Sequence, residues 1–201
     1  MADQKISAMP SANVPLTGAE LMPLVQSGVN VQSSITNFAA FARAAYADYG
    51  EFLDKDGAQT APALTVTALR INTTTAAVGM TRDVVTSAIT VTNTGAYSVI
   101  ISVQIANASA NVGDLTLWPT INGVDVPDSA SAVAIPSKHG STEGHIVLTV
   151  QYTFQLTAGQ NIGFRWFNES GNAAIVTFPA SAVAPIHPAA PAVILSVIQI
   201  A

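Results

Sequence analysis

The sequence predicts a mainly β protein, in which an antiparallel sandwich follows a small N-terminal region with a short hairpin and one helix. Two observations support this prediction. From about residue 62 onward, apolar and polar residues alternate in short segments rich in Val, Ile, Thr, Tyr and Phe, which is the pattern of half-buried strands. Turn-forming pairs such as Asn122-Gly123 separate the segments and no helical period interrupts them, so we expect the strands to pair with one another in antiparallel sheets.

The composition is that of an unusually uncharged chain. Of its 201 residues, 9% are charged and 49% are hydrophobic, whereas soluble domains usually carry about 25% charged residues. Intrinsic disorder is excluded, since it combines low hydrophobicity with high net charge. Pro185, Pro188 and Pro191 interrupt the most apolar stretch, 183–201, so no membrane-spanning helix is predicted. We expect copies of the chain, or a larger assembly, to cover much of its surface.

The charge pattern argues against nucleic acid and membrane as partners. The 7 Lys and Arg residues are scattered, and the formal net charge is −5, whereas both partners require clustered cations. The lack of cysteine excludes disulfides, thiolate metal sites and a cysteine nucleophile. We also expect no secretory signal, because MADQKISAMP has no basic region followed by an apolar one.

Residues 1–50 are predicted to form an N-terminal anchor that opens with an extended segment and a hairpin. The segments 21–26 and 29–32 flank Ser27-Gly28, and Gly28 suits the positive φ of a tight turn. Pro23 cannot donate a ladder hydrogen bond, which places the first strand at an edge.

A helix is predicted to follow the hairpin. Thr36-Asn37 can cap it, and it runs to about Tyr49, with Phe38, Phe41 and Tyr49 on one face at helical spacing. Such a short helix is not stable alone, so its aromatic face must dock. It packs either on its own sandwich or on a neighbouring subunit or shell.

The charged cluster EFLDKDGAQTA, residues 51–61, is predicted to be a linker that stays in water, and residues 62–201 are predicted to form the sandwich. The predicted strands are 64–72, 88–93, 97–106, 114–121, 145–156, 161–168, 173–178 and 193–200.

Three segments in order resemble a known superfamily. Residues 95–104 (GAYSVIISVQ), 117–126 (LWPTINGVDV) and 152–162 (YTFQLTAGQNI) are similar to strands and turns of the tumour-necrosis-factor and complement-globular-head jelly rolls. Gln160 stands where that superfamily usually has Asp. The resemblance extends over roughly residues 95–201, because the chain ends in an apolar strand as these domains do. It implies a jelly-roll sandwich that forms homotrimers.

The N-terminal region resembles a different group. Residues 5–10 (KISAMP), 16–26 (LTGAELMPLVQ) and 28–29 are similar to a leader found on many tailed-bacteriophage virion proteins. The two resemblances together imply a non-enzymatic virion protein, a trimeric capsid decoration or cement protein. It would lie on the capsid surface after assembly in the host cytoplasm. The alternative is a fibre or tail-appendage tip that binds a host glycan or receptor.

The expected partners are two further copies and the major capsid protein or another virion protein. An apolar set is predicted to make these contacts, namely Leu21, Leu24, Val25, Phe38, Phe41 and Tyr49.

No catalytic, cofactor or metal site is predicted. His139, Glu143 and His145 lie close in sequence, but their spacing matches no established ligand motif, and a polar loop explains them better. In GSTEG, residues 140–144, Ser stands beside the central position that a nucleophile elbow requires. The sandwich also lacks the paired acids of glycoside hydrolysis.

Aspartates and tryptophans have alternative interpretations. Asp114, Asp125 and Asp128 flank turns, where Asp bonds to its own backbone, although Ca²⁺ binding is an alternative. Trp118 and Trp166 are predicted to be core or interface residues, and an exposed Trp would also suit stacking on a sugar. His187 is interpreted as a spacer before the last strand.

Overall fold

The computed structural model describes residues 21–27, 29–37 and 48–201. The chain divides into two compact units, Met1–Tyr46 and Ala47–Ala201. In the first unit, strands β1 (Leu21–Gln26) and β2 (Val29–Ser34) pair antiparallel, with Gln26 opposite Val29. This confirms the predicted hairpin. The positive φ that we can describe in its turn belongs to Ser27, at 51°, whereas Gly28 lies outside the described residues.

The helix that follows begins earlier than predicted. Residues 35–37 are helical, and the Ser34 Oγ accepts a hydrogen bond from the backbone N–H of Asn37 at 3.1 Å. Ser34 is therefore the N-cap, in place of Thr36-Asn37. Residues 38–47 are outside the described part of the chain. Tyr49 starts a strand, so its predicted place at the end of this helix is wrong.

The second unit consists of strands joined by turns and loops. Its strands are β3 (Tyr49–Asp54), β4 (Gln59–Thr60), β5 (Thr67–Ala68), β6 (Thr73–Val78), β7 (Met80–Arg82), β8 (Ile89–Val91), β9 (Gly95–Asn107), β10 (Gly113–Ile121), β11 (Val124–Asp125), β12 (Ser131–Ile135), β13 (Gly144–Leu156), β14 (Asn161–Asn168), β15 (Ala173–Ile175) and β16 (Val193–Gln199).

These strands form two antiparallel sheets. Sheet I has the order β11-β10-β14-β8-β7, with β12 also paired to β10 and β5 to β14. Sheet II has the order β4-β15-β9-β16-β3-β6, with β13 also paired to β9. Eight strands carry the sandwich connectivity, in the order β8-β14-β10-β12 in sheet I and β3-β16-β9-β13 in sheet II. The chain crosses between the sheets from β8 to β9, from β9 to β10, from β12 to β13 and from β13 to β14. That connectivity is the jelly-roll sandwich, so the predicted fold class is confirmed.

The core lies between the two sheets. Alternate residues of each strand point inward, because successive side chains leave a strand on opposite faces. Trp166, Tyr97 and Phe52 are the largest fully buried side chains, and Val, Ile and Leu fill the rest. Trp166 is thus a core residue, one of the two interpretations given for it.

The predicted linker over residues 51–61 is wrong. Strand β3 pairs with β16 on one side and β6 on the other, and Phe52 and Asp54 are fully buried. The prediction took the charged residues to lie in water. Glu51 is on the outward face of a strand, however, and the buried carboxylate of Asp54 is paired with the guanidinium of Arg70. The sandwich therefore begins before residue 62.

The strand predicted over 64–72 is also largely wrong. Leu64 adopts a left-handed backbone with φ of 56°, which interrupts an extended strand. Only Thr67–Ala68 pairs with β14, although Leu69 and Ile71 still enter the core.

Candidate functional site

The side of sheet II that faces away from the core carries exposed apolar side chains, and we call this side the outward face of sheet II. Ile100 on β9 and Ile194 and Ile198 on β16 are 37%, 38% and 45% exposed. Tyr49 on β3 and Val147 on β13 are exposed as well. A soluble monomer rarely leaves a contiguous apolar patch in water, so this face is the main candidate for a contact surface.

The strand register fixes the neighbours of these side chains. Ser196 on β16 lies opposite Ile100 on β9, and Ile198 lies opposite Tyr49 on β3. On the other side of β9, Gln104 lies opposite Val147. The exposed apolar residues therefore lie on four neighbouring strands, β3, β16, β9 and β13. Ile198 and Tyr49 are cross-strand neighbours, whereas Ile100 and Val147 lie opposite polar residues.

The polar groups on this face bond to each other. The hydroxyls of Ser102 and Thr149 are 2.7 Å apart, and the Gln151 Nε2 donates to Ser98 Oγ at 3.0 Å. Hydroxyls and amides that already have hydrogen-bond partners lose less free energy when a neighbouring molecule excludes water from them. The hydrogen bonding thus lowers the cost of covering the face.

Charge is nearly absent from the outward face of sheet II. Along β3, β16, β9 and β13, all within the described part of the chain, the outward positions hold one carboxylate, Glu51, and one histidine, His145. Because charged residues are depleted at the centre of protein interfaces, this composition favours a protein partner over water.

Strand β13 adds an exposed edge to the same sheet. It pairs with β9 over 13 residues, and no described strand pairs with its other edge. Its inward stripe runs from Ile146 to Phe154 and is only half-buried, with the Tyr152 and Phe154 rings stacked at 5.7 Å. Long uncharged edges invite pairing with other chains unless they are covered.

The structure places the six predicted contact residues in different settings. Leu21 lies in β1 and is exposed, and Leu24 and Val25 lie in the same strand. Phe38 and Phe41 fall outside the described residues. Tyr49 belongs to the second unit, on the outward face of sheet II beside Ile198.

The sequence pattern already held a signal for this face. Consecutive apolar residues such as 99–101 (VII) and 193–195 (VIL) depart from strict alternation. A strand that is apolar at adjacent positions has two apolar faces, and both are usually covered. This signal identifies Ile100 and Ile194, which the sequence analysis did not single out.

The histidines do not converge. His139 forms a backbone bridge with Thr142, and the His145 ring packs edge-on against Phe178 at 4.9 Å. Within the described residues, no three His, Cys, Asp or Glu side chains are grouped as a metal would require. His187 lies in the loop before β16, where its backbone bridges Ser181.

The aspartates also have separate surroundings. Asp125 pairs with Arg165 at 2.8 Å and accepts the Trp118 Nε1–H at 2.8 Å. Asp83 caps an exposed turn, and the backbone N–H groups of Thr86 and Val85 hold the pKa of its carboxyl below the ordinary value.

A polar network joins the buried side chains of Asp48 and Tyr97 to the exposed Asn93. The Asp48 carboxylate accepts from Asn93 Nδ2 at 3.0 Å and from the Tyr97 hydroxyl at 3.4 Å. Tyr97 also donates to the Asn93 carbonyl at 2.7 Å. Burial, with the nearby charge of Asp48, raises the pKa of Tyr97 to about 12. Both effects disfavour the phenolate, so the Tyr97 hydroxyl keeps its proton near neutral pH and serves as a hydrogen-bond donor.

No helix among the described residues is long and apolar enough to cross a membrane. No family model matches the chain, and no curated protein sequence does. Among solved structures, the chain is similar to Eiger TNF from S. frugiperda at 12% identity and a TM-score of 0.49. The alignment covers 78% of this chain and 94% of that one.

Proposed function

We propose that this chain is a non-enzymatic structural protein of a bacteriophage virion, a homotrimeric capsid decoration or cement protein. The observation that carries the assembly is the outward face of sheet II, which combines exposed apolar side chains with hydrogen-bonded uncharged polar groups and is nearly free of charge. Burying such a face is favourable, since apolar area removed from water contributes about 25 cal/mol per Å². A second copy of the chain is the occupant that we propose.

The geometry of one subunit suggests how copies fit together. Strand β13 is the free edge of sheet II and carries Tyr152 and Phe154 on its partly buried inward face. In a head-to-tail contact, the edge of one copy covers the face of the next, and a closed ring results when the rotation closes. Three copies would then bury three edges and three faces.

The virion role rests on the N-terminal region. Residues 5–10, 16–26 and 28–29 resemble the leader of tailed-phage virion proteins. The hairpin of β1 and β2 overlaps them and exposes Leu21 and Val29 at 61% each. We propose that Leu21, Leu24 and Val25, together with Phe38 and Phe41 further along the chain, contact the major capsid protein. Tyr49 is assigned to the trimer contact.

Light scattering tests the assembly. We expect a trimer for the full chain and a monomer for Ile100→Asp combined with Ile198→Asp, because each carboxylate would be buried without a partner. Val124→Asp is the matched control, since Val124 is 70% exposed on β11 of sheet I. A monomeric parent chain, or a trimeric double variant with native circular dichroism, would contradict the proposal.

Co-sedimentation with empty phage heads tests the anchor. A chain that begins at Ala47 keeps Asp48 and β3, which belong to the sandwich. We expect it to remain trimeric but to stay in the supernatant, whereas the full chain pellets with heads. Equal pelleting of both chains would remove residues 1–46 from the contact.

Copy number separates decoration from the alternative, a fibre or tail-appendage tip. Decoration requires hundreds of copies on the head, so quantitative mass spectrometry of purified virions distinguishes them. A few copies confined to the tail would contradict the decoration role.

A further inference from the structure

A shallow groove lies on the outer face of sheet I, on the sheet opposite the proposed trimer contact. Its volume is about 440 Å³, and Thr116, Trp118 and Phe167 form its floor. Trp118 and Phe167 point outward from the neighbouring strands β10 and β14. Residues 126 and 128–130 form one wall.

The aromatic floor is held in place. The Trp118 Nε1–H donates to Asp125 Oδ1 at 2.8 Å, and Arg165 Nη1 donates to the same oxygen at 2.8 Å. The Trp118 and Phe167 rings meet edge to face, with centroids 6.0 Å apart. The indole N–H is thereby occupied, so the ring offers a ligand an apolar surface and no donor.

The wall is fixed as well. The backbone N–H of Val126 donates to the Pro119 carbonyl at 3.1 Å, and Ser129 Oγ donates to the Val126 carbonyl at 2.6 Å. From sheet II, the Tyr152 hydroxyl donates to the Ser129 carbonyl at 3.0 Å. A groove whose floor and wall are already ordered loses little entropy when it binds.

One polar group in the groove has no partner. Asp128 is exposed in the wall and adopts a left-handed backbone with φ of 55°. Within the described residues, its carboxylate takes part in no hydrogen bond or ion pair, in contrast to Asp125 of the same segment. It is therefore free to accept hydrogen bonds from a ligand.

We propose that this groove binds a neutral pyranose sugar. The C–H face of the sugar ring packs on Trp118 and Phe167, and its hydroxyls donate to the Asp128 carboxylate. In such sites the aromatic rings provide apolar contact area, and a few polar groups at fixed positions orient the ligand. No Lys or Arg lines the groove, and the neighbouring Arg165 is already paired with Asp125. A sialic or uronic acid would therefore meet the Asp128 charge without a free cation.

The site does not depend on the proposed virion role, because it uses sheet I and residues outside the N-terminal region. Saturation-transfer NMR tests it on the full chain. The probes are the methyl glycosides of glucose, galactose, mannose and N-acetylglucosamine, with sialic and glucuronic acid as acidic probes. We expect transfer to the ring protons of at least one neutral glycoside, and weaker transfer to both acids.

Two variants locate the contact. Asp128→Asn keeps the size of an exposed side chain but weakens acceptance, so we expect at least a tenfold loss of affinity. Trp118→Leu removes the aromatic surface, and we expect binding to disappear. Asp114→Asn is the control on the same strand, β10, outside the groove, and should bind like the parent.

Three outcomes would overturn the proposal. They are absence of transfer to every neutral glycoside, undiminished binding in Asp128→Asn, and stronger binding of the acids. Because Asp128→Asn changes an exposed residue, it keeps the test valid even if Trp118→Leu fails to fold. The assembly experiment changes Ile100 and Ile198, which do not line the groove, and the sugar experiment changes Trp118 and Asp128, so failures of the two proposals are distinguishable.

Discussion

The fully buried carboxylate of Asp54 is paired with the guanidinium of Arg70, with 3.0 Å between Oδ2 and Nη2. Gln59 completes the cluster, since its Nε2 donates to the same carboxylate at 2.6 Å. Its Oε1 accepts the backbone N–H of Arg70 at 2.7 Å. The cluster joins the end of β3 to β4, which holds Gln59, and to the segment before β6, which holds Arg70.

Arg70→Met should destabilise the sandwich strongly. Removing the guanidinium leaves the buried Asp54 carboxylate without its cation. The loss is about 3–5 kcal/mol where both partners are buried, and it is smaller here because the Arg70 side chain is 40% exposed. Denaturant unfolding at fixed protein concentration measures the change.

Arg165→Met is the matched control for that substitution. Both side chains of its ion pair with Asp125 are partly exposed, at 37% and 52%, and such pairs contribute about 0–1 kcal/mol. Equal losses for the two variants would show that the burial of Asp54 is not the decisive factor.

Gly79→Ala should lower the stability of the fold by more than its positive φ alone explains. Gly79 has a φ of +65°, and a Cβ there would collide with the Asp48 carboxylate. Gly140 has nearly the same φ, +63°, with nothing near an added Cβ, so Gly140→Ala should lose about 1 kcal/mol. Thermal unfolding of both variants isolates the contact, and an equal loss would mean that Asp48 moves aside freely.

The Tyr97 hydroxyl should make the fold sensitive to alkali. In the unfolded chain the tyrosine pKa is 10.0, and burial raises the pKa of folded Tyr97 to about 12. Below pH 10 both states keep the proton, so stability is complete. As the pH rises from 10 to about 12, only the unfolded state ionises, and the free energy of unfolding falls.

Tyr97→Phe should remove that pH dependence, although it also loses one hydrogen bond. Urea midpoints measured across this pH range reveal the difference in slope between parent and variant. Tyr152→Phe is the control, because Tyr152 is only half-buried. A slope retained in Tyr97→Phe would assign the alkaline sensitivity to another group.

The long strands were predictable because their signal is local. Strand β14 was predicted over the residues that it occupies, and β9, β10 and β13 extend one or two residues beyond the prediction. Apolar and polar residues alternate along these strands because nearly every second side chain points into the core. Strand β3 was missed because its place depends on β16, which lies far away in sequence, and because Asp54 is a charge whose burial requires Arg70.

The candidate contact surface was predictable only in part. Tyr49 was chosen for an aromatic spacing typical of a helix, and it belongs to a strand whose neighbour supplies Ile198. The Trp118 groove was not predictable beyond the suggestion that an exposed Trp could stack on a sugar. Its other components come from β14 and from the segment after β11, and only the register of the sheet brings them together.

Asn107→Asp should be among the most damaging isosteric changes in the sandwich. Asn107 is fully buried at the end of β9, and its Nδ2 donates to the carbonyls of Asn111 at 2.9 Å and Pro136 at 3.1 Å. A carboxylate would face these oxygens with no proton to donate, and a buried unpaired charge of this kind costs about 3 kcal/mol or more. Asn122→Asp is the control, because Asn122 is exposed and uses its Oδ1 to accept the Asn161 N–H at 2.9 Å, which a carboxylate also does. Denaturant unfolding near neutral pH should show a large loss for Asn107→Asp and a change within about 1 kcal/mol for Asn122→Asp. The loss should shrink as the pH falls and the new carboxyl regains a proton, whereas a loss independent of pH would point to packing instead of charge.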